Sequence, residues 1–177
     1  MVVEETEFAG LKILRNFVSH DNRGIFIKTF NSLQFQQVGL VTDWRESYYS
    51  VSDQGVIRGM HFQLPPHDHE KLVYVTAGSI LDVVVDLRSE SATYGRSFSV
   101  TLAEHATSLY IPRGFAHGFL ALTPQATVVY NVATGYEPTA DAGIRWDSIG
   151  FEWPVASPTL SARDAAFQSL AEFESPF

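Results

Sequence analysis

The pattern of apolar and polar positions along the chain predicts a mostly β protein. The cleanest alternation lies at 96–102, where Phe98, Val100 and Leu102 point one way and Ser97, Ser99 and Thr101 the other. In 79–87, Leu81, Val83, Val85 and Leu87 share one face, and Ile80, Asp82, Val84 and Asp86 share the other. Ala77-Gly78 joins that run to 71–76 and signals a hairpin. Further strands are predicted at 11–17, 25–30, 48–52, 56–63 and 127–132, with a strand, a Pro112-Arg113-Gly114 turn and a second strand over 109–122. In 127–132, Val128, Tyr130 and Val132 share a face. In 56–63, strict alternation puts His61 and Gln63 on one face and Arg58, Met60 and Phe62 on the other. Turn clusters fall at 20–24 and 53–55, and Pro65-Pro66 ends the strand before it. Helix is expected only as one turn at 32–35 and a short helix at 161–173. Short strands at roughly ten-residue spacing imply a sandwich or small barrel, as one domain over residues 1–177.

Composition supports a packed globular domain. Of 177 residues, 45% are hydrophobic, with 13 Phe, 7 Tyr and 3 Trp. The absence of cysteine excludes disulfides, thiolate chemistry and Cys-based zinc sites. A net charge of −8 argues against a nucleic-acid partner. It leaves room for a small phosphorylated ligand held by two or three local cations. The acidic start MVVEETEF lacks the pattern of a secretion signal. No apolar run reaches the ~18 residues that span a bilayer. The expectation is a cytoplasmic protein with no membrane partner.

The candidate chemistry gathers in 55–71, GVIRGMHFQLPPHDHEK. His61 sits mid-strand, either as a hydrogen-bonded core histidine or as a general base. His67 and His69 form an HxH pair. If extended, both imidazoles point the same way and could share a metal with a later histidine, and Pro112-Arg-Gly-Phe-Ala-His117 supplies one. Their plainer reading is exposed loop. His117 is bracketed by Gly114 and Gly118, which either permit a tight corner or bring the imidazole to the cavity of His61. Tyr130 is a packed aromatic or a general acid. Asp164 closes an S-x-x-D capping pattern that starts at Ser161. Asp82, if its face is interior, is a buried carboxylate that needs a partner.

Taken in order, the motifs DxRG, GVIRGMHFQ, PPH, KLVYV, DVVVDLR, S-x-TYGR, IPRGFAHGFL, NVATGY, GIRWD, EWP and LSARD run from about Asp21 to Asp164, nearly the whole chain. This succession resembles the dTDP-4-dehydrorhamnose 3,5-epimerase family of nucleotide-sugar epimerases. The resemblance implies an all-β, cupin-type jelly roll (a double-stranded β-helix) with short peripheral helices. It further implies a homodimer acting on a nucleotide-diphosphate sugar without metal or cofactor. It makes His61 the base, Tyr130 the acid on the opposite face and Asp164 the partner of the histidine, with Lys71 near the substrate carbonyl. Arg23, Arg58 and His117 match substrate-binding positions, and Tyr136 matches a residue that stacks on the nucleotide base.

The sequence departs from the family pattern at several contacts. Lys28 replaces a glutamate, and Glu46-Ser47-Tyr48 replaces a QDN triplet. Asp141 stands for a glutamate and Arg163 for a lysine. Lys28, Ser47, Tyr48, Asp141 and Arg163 are therefore carried as substrate contacts of altered character, and Asp82 is carried as a substrate contact as well. The acid–base set is kept, so the reaction class is better specified than the sugar. A 4-keto sugar has acidic C–H bonds at C3 and C5. Inversion needs a base on one face, an acid on the other and a cation near the carbonyl oxygen. A mono-epimerase on another nucleotide sugar, a metal-dependent cupin enzyme and a silent sugar-binding cupin are the alternatives.

Overall fold

The computed structural model describes residues 1–105 and 107–177. Its strands are β1 (Val2–Glu5), β2 (Lys12–Arg15), β3 (Phe17–Asp21), β4 (Gly24–Lys28), β5 (Glu46–Asp53), β6 (Ile57–Gln63), β7 (Lys71–Ala77), β8 (Ser79–Asp86), β9 (Ser97–Ala103), β10 (Thr107–Ile111), β11 (Phe115–Ala121), β12 (Gln125–Val132) and β13 (Asp141–Gly143). Two short helices, α1 (Ser32–Gln37) and α2 (Ala162–Ala165), lie at the periphery. Among the described residues no helix is long and apolar enough to cross a membrane.

Two sheets form the barrel. One has the order β1-β2-β10-β7-β12-β5 and the other β13-β6-β11-β8-β9. Neighbours within each sheet run antiparallel. This is the cupin-type jelly roll. Period-two alternation explains the core. Ile80, Val84, Leu102, Leu109, Phe119, Val128 and Tyr130 point between the sheets, where each fully buried large apolar side chain contributes about 1.5–3 kcal/mol. The opposite face of β8 is buried as well. Val83, Val85 and Leu87 pack with Met60, Phe62, Ile149 and Phe173 beneath the C-terminal segment. A third cluster, with Leu14, Phe35, Leu72 and Tyr110, holds α1 against the first sheet.

The hairpin β3–β4 stands apart: among the described residues these strands pair only with each other. It exposes Phe17, Ile25 and Phe26. At the edge of the first sheet, β5 turns Tyr49 and Val51 to solvent.

Several predicted elements move. The helix expected at 161–173 is only four residues long, followed by a separate 3-10 turn at Leu170–Glu172. Asp164 is drawn inward to the core, and the Phe167 ring sits so close to Gly143 that a Cβ there would lie 2.4 Å from it. Gln168 instead forms a parallel bridge with Ile144, its carbonyl accepting the Arg145 N–H at 2.9 Å, and the Ser169–Glu172 capping box starts the next turn afresh. The run expected as one strand at 11–17 is split between β2 and β3, and the turn at 20–24 gives His20 and Asp21 to β3. Strand 25–30 ends at Lys28. Neither β1 nor β13 was predicted.

The faces of β6 also depart from strict alternation. His61 pairs with His117 and Arg58 with Phe119, so Gly59 and Met60 together oppose Gly118. This bulge resets the parity of the strand. Arg58 and His61 therefore reach the same cavity instead of opposite faces. Glycine makes the close approach possible. Gly59 has φ +146°, and a Cβ on it would lie 2.5 Å from the Cα of Gly118.

Candidate active site

The open end of the barrel holds a cavity in two compartments. The outer one, about 420 Å³, is lined by Glu46, Gln63, His69, Tyr136, Asp141 and Arg163 among others. The inner one, about 220 Å³, is lined by Ser50, Arg58, His117, Phe119 and Tyr130. Tyr48, His61 and Lys71 line both.

His61 comes from β6, and Asp164 is the third residue past the Ser161 cap of α2. His61 Nε2 lies 2.9 Å from Asp164 Oδ1, and Asp164 Oδ2 accepts the Gly59 N–H at 3.1 Å. The Asp164 N–H donates to Ser161 Oγ at 3.0 Å, so the capping pattern and the histidine partner are one residue in two roles. Burial alone would raise the Asp164 carboxyl. The His61 and Gly59 bonds outweigh it and hold the group below its usual value. A carboxylate only accepts, so His61 carries its proton on Nε2 and Nδ1 keeps a free lone pair. Asp164 raises the basicity of His61. Burial outweighs that gain, helped by Lys71 and Arg163, and the imidazole titrates below 6.5. It is neutral at pH 7, as a base must be.

Tyr130 projects from β12 of the other sheet and so faces β6 across the interior. Its hydroxyl lies 3.4 Å from Ser50 Oγ. Burial pushes the phenol far above its usual value, which keeps it protonated as a donor. Its ring stacks on Tyr48 at 5.0 Å and 21° and meets His117 edge-on at 6.1 Å.

Lys71 opens β7 and is 8% exposed. Its Nζ donates to the His61 carbonyl at 3.3 Å. Burial lowers the ammonium to about 8, opposed by Asp141 and Asp82. His117, from β11, bonds Asp82 Oδ2 through Nε2 at 2.8 Å. Asp82 is fully buried, and burial raises its carboxyl against the pull of His117 and Lys71. Its Oδ1 has no hydrogen-bond partner among the described residues.

The rim is polar. Asp141 Oδ1 accepts from Arg163 at 2.8 Å, and its Oδ2 accepts from the Tyr136 hydroxyl at 3.2 Å. The Tyr136 N–H donates to Glu46 Oε1 at 2.8 Å. Deeper in, Arg58 Nε donates to Ser52 Oγ at 2.9 Å.

The structure thus gathers His61, Asp164, Tyr130, Lys71, Tyr48, Arg58, His117, Tyr136, Asp141 and Arg163 around one cavity. Asp82 stands behind His117 and not on the cavity wall. Ser47 alternates with Tyr48 and faces outward from β5. Arg23 and Lys28 lie on the exposed β3–β4 hairpin, where Arg23 pairs with Asp21 at 2.6 Å. Within one chain these three line neither compartment.

His69 corrects the exposed-loop reading of the HxH pair. It is half-buried on the cavity wall, its Nδ1 2.7 Å from Thr134 Oγ1, and burial, then Lys71 and Arg113, lower it to about 3. Among the described residues no group of three or more His, Asp or Glu side chains is placed to hold a metal ion. Glu46, Ser50 and Gln63 were not predicted as site residues. Their signal was parity: Glu46 and Ser50 share a strand face with Tyr48, and Gln63 shares one with His61.

A buried cation, a carboxylate-backed neutral imidazole and a protonated phenol, set in a jelly-roll barrel, define a cupin-type acid–base enzyme. Residues 5–172 match the profile of the dTDP-4-dehydrorhamnose 3,5-epimerase family, and the chain belongs to that family. It is 39% identical over 176 residues to a dTDP-4-dehydrorhamnose 3,5-epimerase of Shigella flexneri, covering 97% of each chain. A Bacillus anthracis enzyme of that name, solved with TDP and pyrophosphate bound, superposes with a TM-score of 0.92 at 36% identity, over 96% of this chain and 99% of the other. A 3'-monoepimerase from Streptomyces bikiniensis, in complex with dTDP-quinovose, superposes with a TM-score of 0.88 at 31% identity, over 94% and 86%.

Proposed function

We propose that this protein inverts C3, C5 or both in a nucleotide-linked 4-keto-6-deoxy sugar, with dTDP-4-dehydro-6-deoxyglucose the first candidate. The observation that carries the reading is the pairing of opposites across the barrel. A neutral imidazole comes from one sheet and a protonated phenol from the other, with a buried cation beside them. His61 Nδ1 takes the proton next to the ketone. The electron pair moves onto the carbonyl oxygen, where Lys71 and His117 oppose the developing charge. Tyr130 returns a proton to the opposite face, and the centre is inverted. Electrostatic stabilisation and positioned proton transfer suffice for this chemistry. Arg58 and Arg163 are placed to meet phosphate or sugar oxygens, and Tyr136 to stack on the base.

The relationship to a monoepimerase keeps a second outcome open, inversion at C3 alone. Proton NMR of the protein with the candidate substrate in D₂O decides between them. Exchange at C3 and C5 supports the double epimerase, and exchange at C3 alone the monoepimerase. Exchange at neither position overturns the reading. His61→Asn must abolish the exchange.

The working form in this proposal is a homodimer. The β3–β4 hairpin exposes three large apolar side chains, and β5 leaves an unpaired edge with Tyr49 and Val51 outward. An edge of that kind is a template for a partner strand. In such a dimer Arg23 and Lys28 enter the cavity of the partner. Sedimentation that finds a monomer at micromolar concentration overturns this arrangement.

A further inference from the structure

Three side chains belong to both compartments of the cavity, and the reaction above uses only two of them, His61 and Lys71. The third, Tyr48, is built into the site with equal definition. It sits directly across the strand pair from Tyr130. Its ring lies nearly parallel to the Tyr130 ring, 5.0 Å away. On the same face of β5, Glu46 fixes the backbone of Tyr136, Ser50 reaches the Tyr130 hydroxyl and Ser52 holds Arg58. Burial, then Glu46 and Asp141, push the Tyr48 phenol up to about 12, so at neutral pH it keeps its proton, as Tyr130 does.

A 4-keto sugar presents two acidic positions, C3 and C5, on either side of the carbonyl carbon. With the carbonyl oxygen held at Lys71 and His117, a swing of the sugar ring about the C4–O4 axis exchanges one position for the other between His61 and Tyr130. What limits that swing is the wall beside Tyr130 where the compartments meet. The Tyr48 ring is that wall.

We propose that Tyr48 is a specificity-determining residue, its ring setting which carbon of the 4-keto sugar lies between His61 and Tyr130. This inference rests on the epimerase reading. It differs from a simple propping role for Tyr48. A prop that only holds Tyr130 would, when lost, slow exchange at both carbons alike. A wall would, when lost, change their ratio.

The test compares initial deuterium exchange at C3 and C5 of dTDP-4-dehydro-6-deoxyglucose, by proton NMR, for the unmodified protein, Tyr48→Phe and Tyr48→Ala. Tyr48→Phe keeps the ring and is expected to keep the C3:C5 ratio. Tyr48→Ala is expected to change the ratio by about fivefold or more, corresponding to about 1 kcal/mol between the two transition states. Tyr48→Asn, a polar truncation suited to a half-exposed edge strand, takes its place if the alanine variant does not fold. Equal slowing at both carbons, or an equal change of ratio in Tyr48→Phe, overturns the inference and leaves the epimerase reading intact. No exchange at either carbon with the unmodified protein overturns both.

Discussion

Replacing Lys71 by methionine should make the protein more stable and nearly inactive. Lys71 is a buried ammonium whose one protein hydrogen bond among the described residues is to the His61 carbonyl at 3.3 Å. Its fall from a usual 10.5 to about 8 corresponds to about 3 kcal/mol set against the charged form at neutral pH. Methionine has similar length, no charge and no need of a partner. Loss of the hydrogen bond takes back about 1 kcal/mol. The net gain is about 2 kcal/mol, which in a chain of this size raises Tm by about 4–8 °C.

The sign can be checked by pH. A lysine with a depressed value in the folded state binds fewer protons there than in the unfolded chain between about 8 and 10.5. The stability of the unmodified protein should therefore rise by about 3 kcal/mol across that window relative to the variant, so the gap closes within it and reverses by about 1 kcal/mol above it. Thermal and urea unfolding of both proteins at equal concentration, at pH 7 and from pH 8 to 10.5, measures this. Turnover should fall by about 10²–10³, the usual cost of losing one preorganised group at a developing oxyanion. A variant less stable than its parent at pH 7, or a gap that does not change with pH, refutes the reasoning.

Other outcomes follow from the same geometry. The pH profile of kcat/KM should be bell-shaped, with an acid limb below 6.5 where His61 takes up a proton and an alkaline limb near 8 where Lys71 loses one; a single limb, or an acid limb above 6.5, counts against these assignments. Asp164→Asn should slow turnover by about 10²-fold or more. It should also move the acid limb to lower pH, because the carboxylate raises His61; an unmoved limb would remove Asp164 as its partner. Gly59→Ala should destabilise by about 3 kcal/mol or more in urea unfolding, since the added Cβ meets Gly118 Cα at 2.5 Å in backbone that disfavours a side chain. Unchanged stability would mean the two strands separate more readily than the bulge suggests.

Much of this molecule was legible from periodicity because a barrel strand has only two faces. The alternation at 79–87 put Asp82 on one face with Ile80 and Val84 without saying which face is interior; the structure buries that face and supplies the partner such a carboxylate requires, His117. His61, Lys71, Tyr130 and Asp164 could be picked out because they sit in distinctive local strings, and the structure brings them to one cavity. Other features were hidden because tertiary contacts decide them. Ser161 to Phe173 has the composition of a helix, but Gln168 is drawn into a bridge with Ile144 and Phe167 packs on Gly143 and the His61 ring. His69 sits in a polar loop string, and only the fold shows that the loop closes over the cavity. Arg23 and Lys28 have the chemistry of phosphate ligands, yet their hairpin carries them away from the cavity of their own chain.

The bulge in β6 has a consequence for what changes the protein can tolerate. Arg58 and His61 are three residues apart on a strand, a spacing that belongs to a helix, and both face the cavity only because one extra residue is accommodated between them. The segment is therefore sensitive to count as well as to identity. Most side-chain exchanges nearby alter a contact. Deleting one residue between Arg58 and His61 shifts the reading frame of the strand, turns one of the two out of the site and exposes its neighbours' apolar faces. Engineering of this cavity should keep the length of this four-residue unit fixed, with Arg58, Gly59 and His61 in place, and vary the cavity wall on other strands.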